Sequence, residues 1–252
     1  MHGQYPRQMQ EITTPEACYG WLKKVRLKVS TEALICAAQD QALATKAHAT
    51  YILKTSQDPK CRMCKNKDET VSHLLTGCSK LAPTEYIRRH NEVARLVHRN
   101  ICESYNIEVR RPRWKHEPEA VTENQEVKIL WDFDIRTDRH ITARRPDIVV
   151  IDKSKKTALV IDIAVPDDRN ISTKEHEKIT KYQELRVEIA RLWNVRVEVV
   201  PVVIGALGAH TPKFVKYLDR IPGHHHVPEL LKAALLGSAH ILRFVLDLPE
   251  SW

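Results

Sequence analysis

The 252 residues contain no apolar stretch of about eighteen, so the sequence offers no membrane-spanning helix. Met1-His2-Gly3-Gln4 opens no signal-peptide core, and a soluble, intracellular protein is expected. No internal repeat appears, which excludes a solenoid. Glycine is scarce, at 7 residues. Its one cluster, Gly205-Ala206-Leu207-Gly208, follows an apolar run and reads as turn punctuation, not as a phosphate cradle. The 6 cysteines follow metal spacing more than a disulfide framework, which suggests a reducing compartment.

Two acids carry the most information. Asp147 opens the apolar run Ile148-Val149-Val150-Ile151, and Asp162 closes Ala158-Leu159-Val160-Ile161. Such β-branched runs read as buried strands. Asp152 to Lys156 is short and polar, so the strands are expected to form a hairpin that brings the acids together at one sheet edge. Neighbouring carboxylates repel, and a divalent cation between them removes the conflict. Taken singly, an acid at a strand end reads as a turn former, and a helical lysine as solvated. Asp162 resists that reading, because it sits among apolar residues where a charge is costly unless paired.

Thr173 to Trp193 lacks Gly and Pro and is expected to be one helix. Lys174, Lys178, Lys181, Tyr182 and Leu185 share a face of it. Lys178 or Lys181 could then lie over the acids. Two acids, a metal and a lysine suit phosphodiester hydrolysis. Asp147 and Asp162 are expected to hold Mg²⁺ or Mn²⁺, with the Ile163 carbonyl as a further ligand. Lys178 would reach the attacking water or the phosphate, while Lys181 and Tyr182 steady the DNA backbone.

Cys61-x2-Cys64-x8-His73-x4-Cys78 is a Cys₃His set with zinc-ligand spacing. Four ligands fill a tetrahedral shell, so this would be a structural Zn²⁺ site. Cys18, Cys36 and Cys102 stand alone and read as core or free thiols. His224-His225-His226 reads as a loop. The formal net charge is +8, with basic clusters at Lys23-Lys24-Val25-Arg26, Arg88-Arg89, Arg110-Arg111-Pro112-Arg113 and Arg144-Arg145. Such clusters attract nucleic-acid backbones.

The chain divides into a loose N-terminus (1–14), a helical region with the knuckle at 58–81 (15–105), a linker (106–125) and an α/β region (126–248). Helices are expected over Pro15–Leu27, over Thr31–Leu53 with Thr31 as N-cap, and over Pro83–Tyr105. The last would turn Ile87, Val93, Ala94, Val97 and Ile101 inward. Phe133–Thr137 and Val195–Ile204 are expected as strands. A helix should open at Thr211-Pro212, and another at Pro228.

The knuckle, then Leu130-Trp131-Asp132-Phe133, then Arg144-Arg145-Pro146-Asp147, then Val160-Ile161-Asp162-Ile163-Ala164-Val165-Pro166, then Glu177-Lys178-Ile179-Thr180-Lys181-Tyr182 come in a telling order. Together they resemble the C-terminal part of non-LTR retrotransposon proteins of the site-specific, ribosomal-DNA-inserting type. The resemblance spans roughly residues 20–247. It implies an α+β or α/β fold, in which a helical zinc-knuckle region precedes a PD-(D/E)xK-type, restriction-like endonuclease core. The usual lysine two residues after the second acid is missing, because that position is Ala164. The family carries its lysine on the next helix, which matches Lys178 and Lys181.

Nothing here resembles the family's reverse transcriptase. The expectation is therefore an endonuclease fragment, a degraded copy or a retained remnant, without polymerase activity. The resemblance implies nuclear localisation, a DNA target and element RNA as a further partner. The activity would be Mg²⁺-dependent nicking that primes reverse transcription. The competing reading is a catalytically inactive, zinc-stabilised nucleic-acid-binding remnant. A helical interaction protein is a weaker third.

Overall fold

The structure, a computed structural model, describes residues 4–109, 112 and 115–249. Its centre is a five-stranded mixed sheet in the order β1-β2-β3-β4-β5. β1 is Val121–Glu123, β2 Val127–Trp131, β3 Ile148–Asp152, β4 Thr157–Ala164 and β5 Arg196–Val203. β3 and β4 form the expected antiparallel hairpin. Every residue of β3 is buried, which fits an unbroken apolar run better than an alternating one. β5 runs parallel to β4, so the chain must cross over between them. Helices α6 (Ile171–Lys181) and α7 (Gln183–Trp193) make that crossover.

The single helix expected over 173–193 is thus two helices, parted at Tyr182 with φ −103° and ψ 13°. No helix breaker marks the site in the sequence. The Tyr182 ring is fully buried with Leu185, Ile189 and Val160, and its hydroxyl donates to Asp162. That tertiary anchoring outweighs continuity of the helical ladder.

Other boundaries moved for comparable reasons. α1 (Gln4–Met9) lies inside the span read as loose, and Tyr5 and Met9 join the core. α2 spans Pro15–Lys24 and is capped by Thr14. The segment 31–53 holds two helices, α3 (Val29–Gln39) and α4 (Lys46–Tyr51). Gln41, at φ 56°, turns the chain between them, and Thr45 caps α4. Thr31 is not an N-cap. It lies inside α3, and its hydroxyl accepts from Arg243. π-helical turns at His73–Gly77 and Ala82–Tyr86 precede α5 (Ile87–Ser104). Val93, Ala94, Val97 and Ile101 are buried, but Ile87 is 51% exposed. Phe133–Thr137 forms no strand, although Ile135 is buried and its amide donates to Arg144 O at 3.0 Å. α8 is only Phe214–Leu218, because the Thr211 hydroxyl donates to Glu175 instead of capping a helix. α9 spans Val227–Leu246.

One apolar cluster joins Trp21, Ile35 and Leu74 to Val97, to Val150 and Ile161 of the sheet, and to Leu235 of α9. The helical region and the sheet therefore share a core. A second, smaller cluster lies on the α7 side of the sheet. Among the described residues no helix is long and apolar enough to cross a membrane.

Candidate functional site

The β3–β4 register pairs Ile148 with Ile161, so Asp147 stands one residue beyond the ladder, opposite Asp162. Val149, Ile151, Ala158 and Val160 face the α7 side. The two-residue period of a strand puts both acids on that face as well. Asp147 Oδ2 accepts from the Ile163 amide at 2.6 Å, which ties one acid to the strand of the other. The same oxygen meets His90 Nε2 of α5 at 3.1 Å. Burial alone would push the Asp147 pKa up, but the His90 bond and charge, the Ile163 amide and Lys178 hold it below the usual value. Burial would likewise depress His90, yet Asp147, Asn91 and the Asp162 charge raise it to about 9. His90 was not foreseen from sequence. Its distance from Asp147 along the chain leaves no local signal, and only the approach of α5 to the sheet end creates the pair.

Asp162 is 2% exposed. Its Oδ2 is held by the Lys178 ammonium as an ion pair. Lys181 stands 3.8 Å from Oδ1. The Lys178 side chain is 21% exposed and that of Lys181 46%, so Lys178 is the more enclosed partner. The crossover helix does lay both lysines at the second acid. Tyr182, expected to contact DNA, is buried beneath the acid instead and offers no surface to a backbone. Its hydroxyl pKa lies far above the ordinary tyrosine value, through burial and then the Asp162 charge, so it acts as a standing donor.

Arg144 and Arg145 are exposed at the same sheet end, where Asp134 and Asp132 pair with them. Arg110, Arg111 and Arg113 lie outside the described residues. A cleft of about 480 Å³ borders the acids, and His90, Lys174, Lys178 and Ile163 line it. A larger cleft, about 920 Å³, opens at the other end of the hairpin, by Thr157 to Leu159. Lys155, Arg186, Arg196, Lys213, Lys216 and Arg220 line it. Lys213, Lys216 and Arg220 lie in and around α8 while the other three come from separate elements, and none forms a run, so charge patterning did not reveal them.

Cys61, Cys64, His73 and Cys78 bring their ligand atoms within 4.8 Å of one another. Cys61 Sγ and Cys78 Sγ are 3.9 Å apart, and Cys64 Sγ and His73 Nε2 3.3 Å. A tetrahedral ion with ordinary Zn–S and Zn–N bonds sets these separations at about 3.8 and 3.6 Å. The four side chains thus form a site able to hold a metal ion, with a donor set compatible with zinc. Lys65, at φ 57°, closes the turn after Cys64. Arg62 and the Lys46 amide both bind the buried Glu69, which locks the turn onto α4. The Tyr86 hydroxyl accepts from the Cys78 amide and donates to the carbonyls of His73 and Leu74, holding two ligands by their backbones. A Cβ at Gly77 would lie 3.2 Å from His73 Nδ1, so glycine keeps the imidazole seated.

The His224–His226 segment is a loop, as expected, with the His224 carbonyl bound by Asn100. No model of a known protein family and no curated protein sequence matches the chain.

Proposed function

We propose that this chain is a metal-dependent DNA endonuclease that hydrolyses a phosphodiester bond at the Asp147–Asp162 pair. The observation that carries the reading is Asp162. It is a buried carboxylate facing Asp147 across a hairpin end, with one oxygen ion-paired to Lys178 and Lys181 beside the other. The carboxylates of two facing acids are hard oxygen donors, which fit Mg²⁺ or Mn²⁺. Asp147, Asp162 and the Ile163 carbonyl would hold that ion. When bound, it supplies Lewis-acid polarisation of a phosphoryl oxygen and a more acidic water. Lys178 would steady the developing charge on the phosphate, with Lys181 as a weaker neighbour. Arg144 and Arg145 would exchange their aspartate partners for DNA phosphates. Tyr182 would fix the Asp162 carboxylate from below.

The resemblance to non-LTR retrotransposon endonucleases supports the same reading. It adds a nuclear setting, a DNA target, element RNA as a second partner and a 3′-hydroxyl product that primes reverse transcription. A PD-(D/E)xK-type core with a zinc knuckle agrees with the mixed sheet and the Cys₃His group.

A second reading has its own observation. His90 sits on Asp147 and Lys178 on Asp162, so both acids are already neutralised within the fold. That suits a zinc-stabilised nucleic-acid-binding remnant without catalysis. Incubating the purified chain with supercoiled plasmid and Mg²⁺ separates the two. The endonuclease reading predicts open circles whose new ends a polymerase extends, and no reaction with a chelator. Retarded but uncut plasmid at every Mg²⁺ and Mn²⁺ concentration would establish the remnant.

A further inference from the structure

A second group of metal-ligand side chains lies away from both the acids and the knuckle. His98 and Cys102 are four residues apart on α5, which puts them on one helical face. His116 comes from the irregular chain between α5 and β1. All three are buried, with ligand atoms within 4.8 Å of one another. The contact centres on His98 Nδ1, which is 2.9 Å from His116 Nε2 and 3.5 Å from Cys102 Sγ. A tetrahedral zinc site sets N···N at about 3.3 Å and S···N at about 3.6 Å. The cysteine–histidine distance already matches, and the two imidazoles need only part by a few tenths of an ångström.

The surroundings favour ligation. Trp131 stands edge-on to the His98 ring, with centroids 5.6 Å apart, and walls one side. Arg99 and Arg95 oppose a cation near His116, and Glu103 and Glu117 favour one.

We propose that His98, Cys102 and His116 form a second zinc site, which fastens the chain after α5 to that helix. Ligation requires His98 to carry its proton on Nε2 and His116 on Nδ1. The Cys102 thiol gives its proton to solvent, and the sulfur becomes a thiolate ligand. The three protein ligands leave a fourth position for one solvent oxygen. Its role is a staple, because His116 otherwise sits in irregular chain with no ladder to hold it.

Metal content per chain tests this, measured by mass spectrometry on the full reduced chain after exhaustive dialysis. The expected content is two zinc equivalents in the wild type, and one in each of Cys102→Ala and Cys64→Ser. Cys102→Ala keeps a small apolar side chain at a buried helical position, and its circular dichroism should match the wild type. Should that variant fail to fold, Co²⁺ titration of wild-type protein stripped of zinc decides. Its visible absorbance should saturate at two equivalents. One zinc equivalent in the wild type, lost in Cys64→Ser and kept in Cys102→Ala, would overturn the second site and leave the knuckle standing. Copper in place of zinc, lost in Cys102→Ala, would overturn the zinc assignment.

Discussion

Tyr182→Phe removes one oxygen from the centre of the candidate site and changes almost nothing else. The ring is fully buried among Leu185, Ile189 and Val160, and phenylalanine keeps that packing. What disappears is the hydrogen bond that the hydroxyl donates to Asp162 Oδ1 and the one it accepts from Lys181 Nζ at 2.8 Å. Hydrogen bonds to buried charges contribute about 1.5–3 kcal/mol each. Lys181, 3.8 Å from the same oxygen and half exposed, recovers little of that. The expected loss is therefore about 2 kcal/mol, near the middle of the range, because the missing oxygen leaves only a small void. For a chain of this size that lowers Tm by about 4–8 °C. Urea unfolding of wild type and variant without added Mg²⁺ measures it. Nicking should fall less than in Asp162→Ala, since the acid remains but its orientation loosens. A loss below about 0.5 kcal/mol would refute the reasoning, because it would mean that Asp162 does not depend on this donor.

Three further outcomes follow from other parts of the molecule. Cys64→Ser should release one zinc equivalent and speed amide exchange across 58–81, and unchanged zinc content would contradict the knuckle. Arg89 is buried, and it donates to Ser238 Oγ, Leu75 O and Val165 O, joining α9, a π-helical turn and the end of β4. Arg89→Ala leaves these acceptors bare and should cost at least about 3 kcal/mol in chemical unfolding, whereas a cost under about 1 would contradict that role. Asp168 is buried beneath the 205–209 turn, and burial raises its pKa from 3.8 to about 6. A carboxylate raised in the fold binds its proton more tightly when folded. Its contribution is thus greatest below pH 4 and declines as pH rises towards 6. Asp168→Asn should gain roughly 2–4 kcal/mol on the wild type between those pH values, and a pH-independent difference would contradict it.

What the sequence revealed depends on how local the cause was. The hairpin was legible because β-branched runs flank a short polar turn, and the length of that turn fixes its register. The Cys₃His group was legible because metal spacing is set by the chain itself. Lys178 and Lys181 were legible from helical period, but the break at Tyr182 was not, since its cause is a hydrogen bond to a strand twenty residues earlier. Thr31 and Thr211 look like helix caps by composition. Arg243 and Glu175, both distant in sequence, claim their hydroxyls instead. His90 and the His98–Cys102–His116 cluster are tertiary in the same sense. α5 delivers His90 to acids distant in sequence, and it delivers His98 and Cys102 to His116, a set that spans about as much chain as the knuckle but lacks a Cys-x2-Cys element to mark it.

The central claim is that Asp147 and Asp162 hold the ion for strand cleavage and that Lys178 serves the phosphate. The most direct measurement is Mg²⁺-dependent nicking of supercoiled plasmid by wild type, Asp162→Ala and Lys178→Ala, at concentrations giving equal DNA occupancy. The account predicts that Asp162→Ala loses orders of magnitude in rate, and that Lys178→Ala loses about 10²- to 10³-fold, the scale of one electrostatic donor. Undiminished nicking by Asp162→Ala at full occupancy would contradict it.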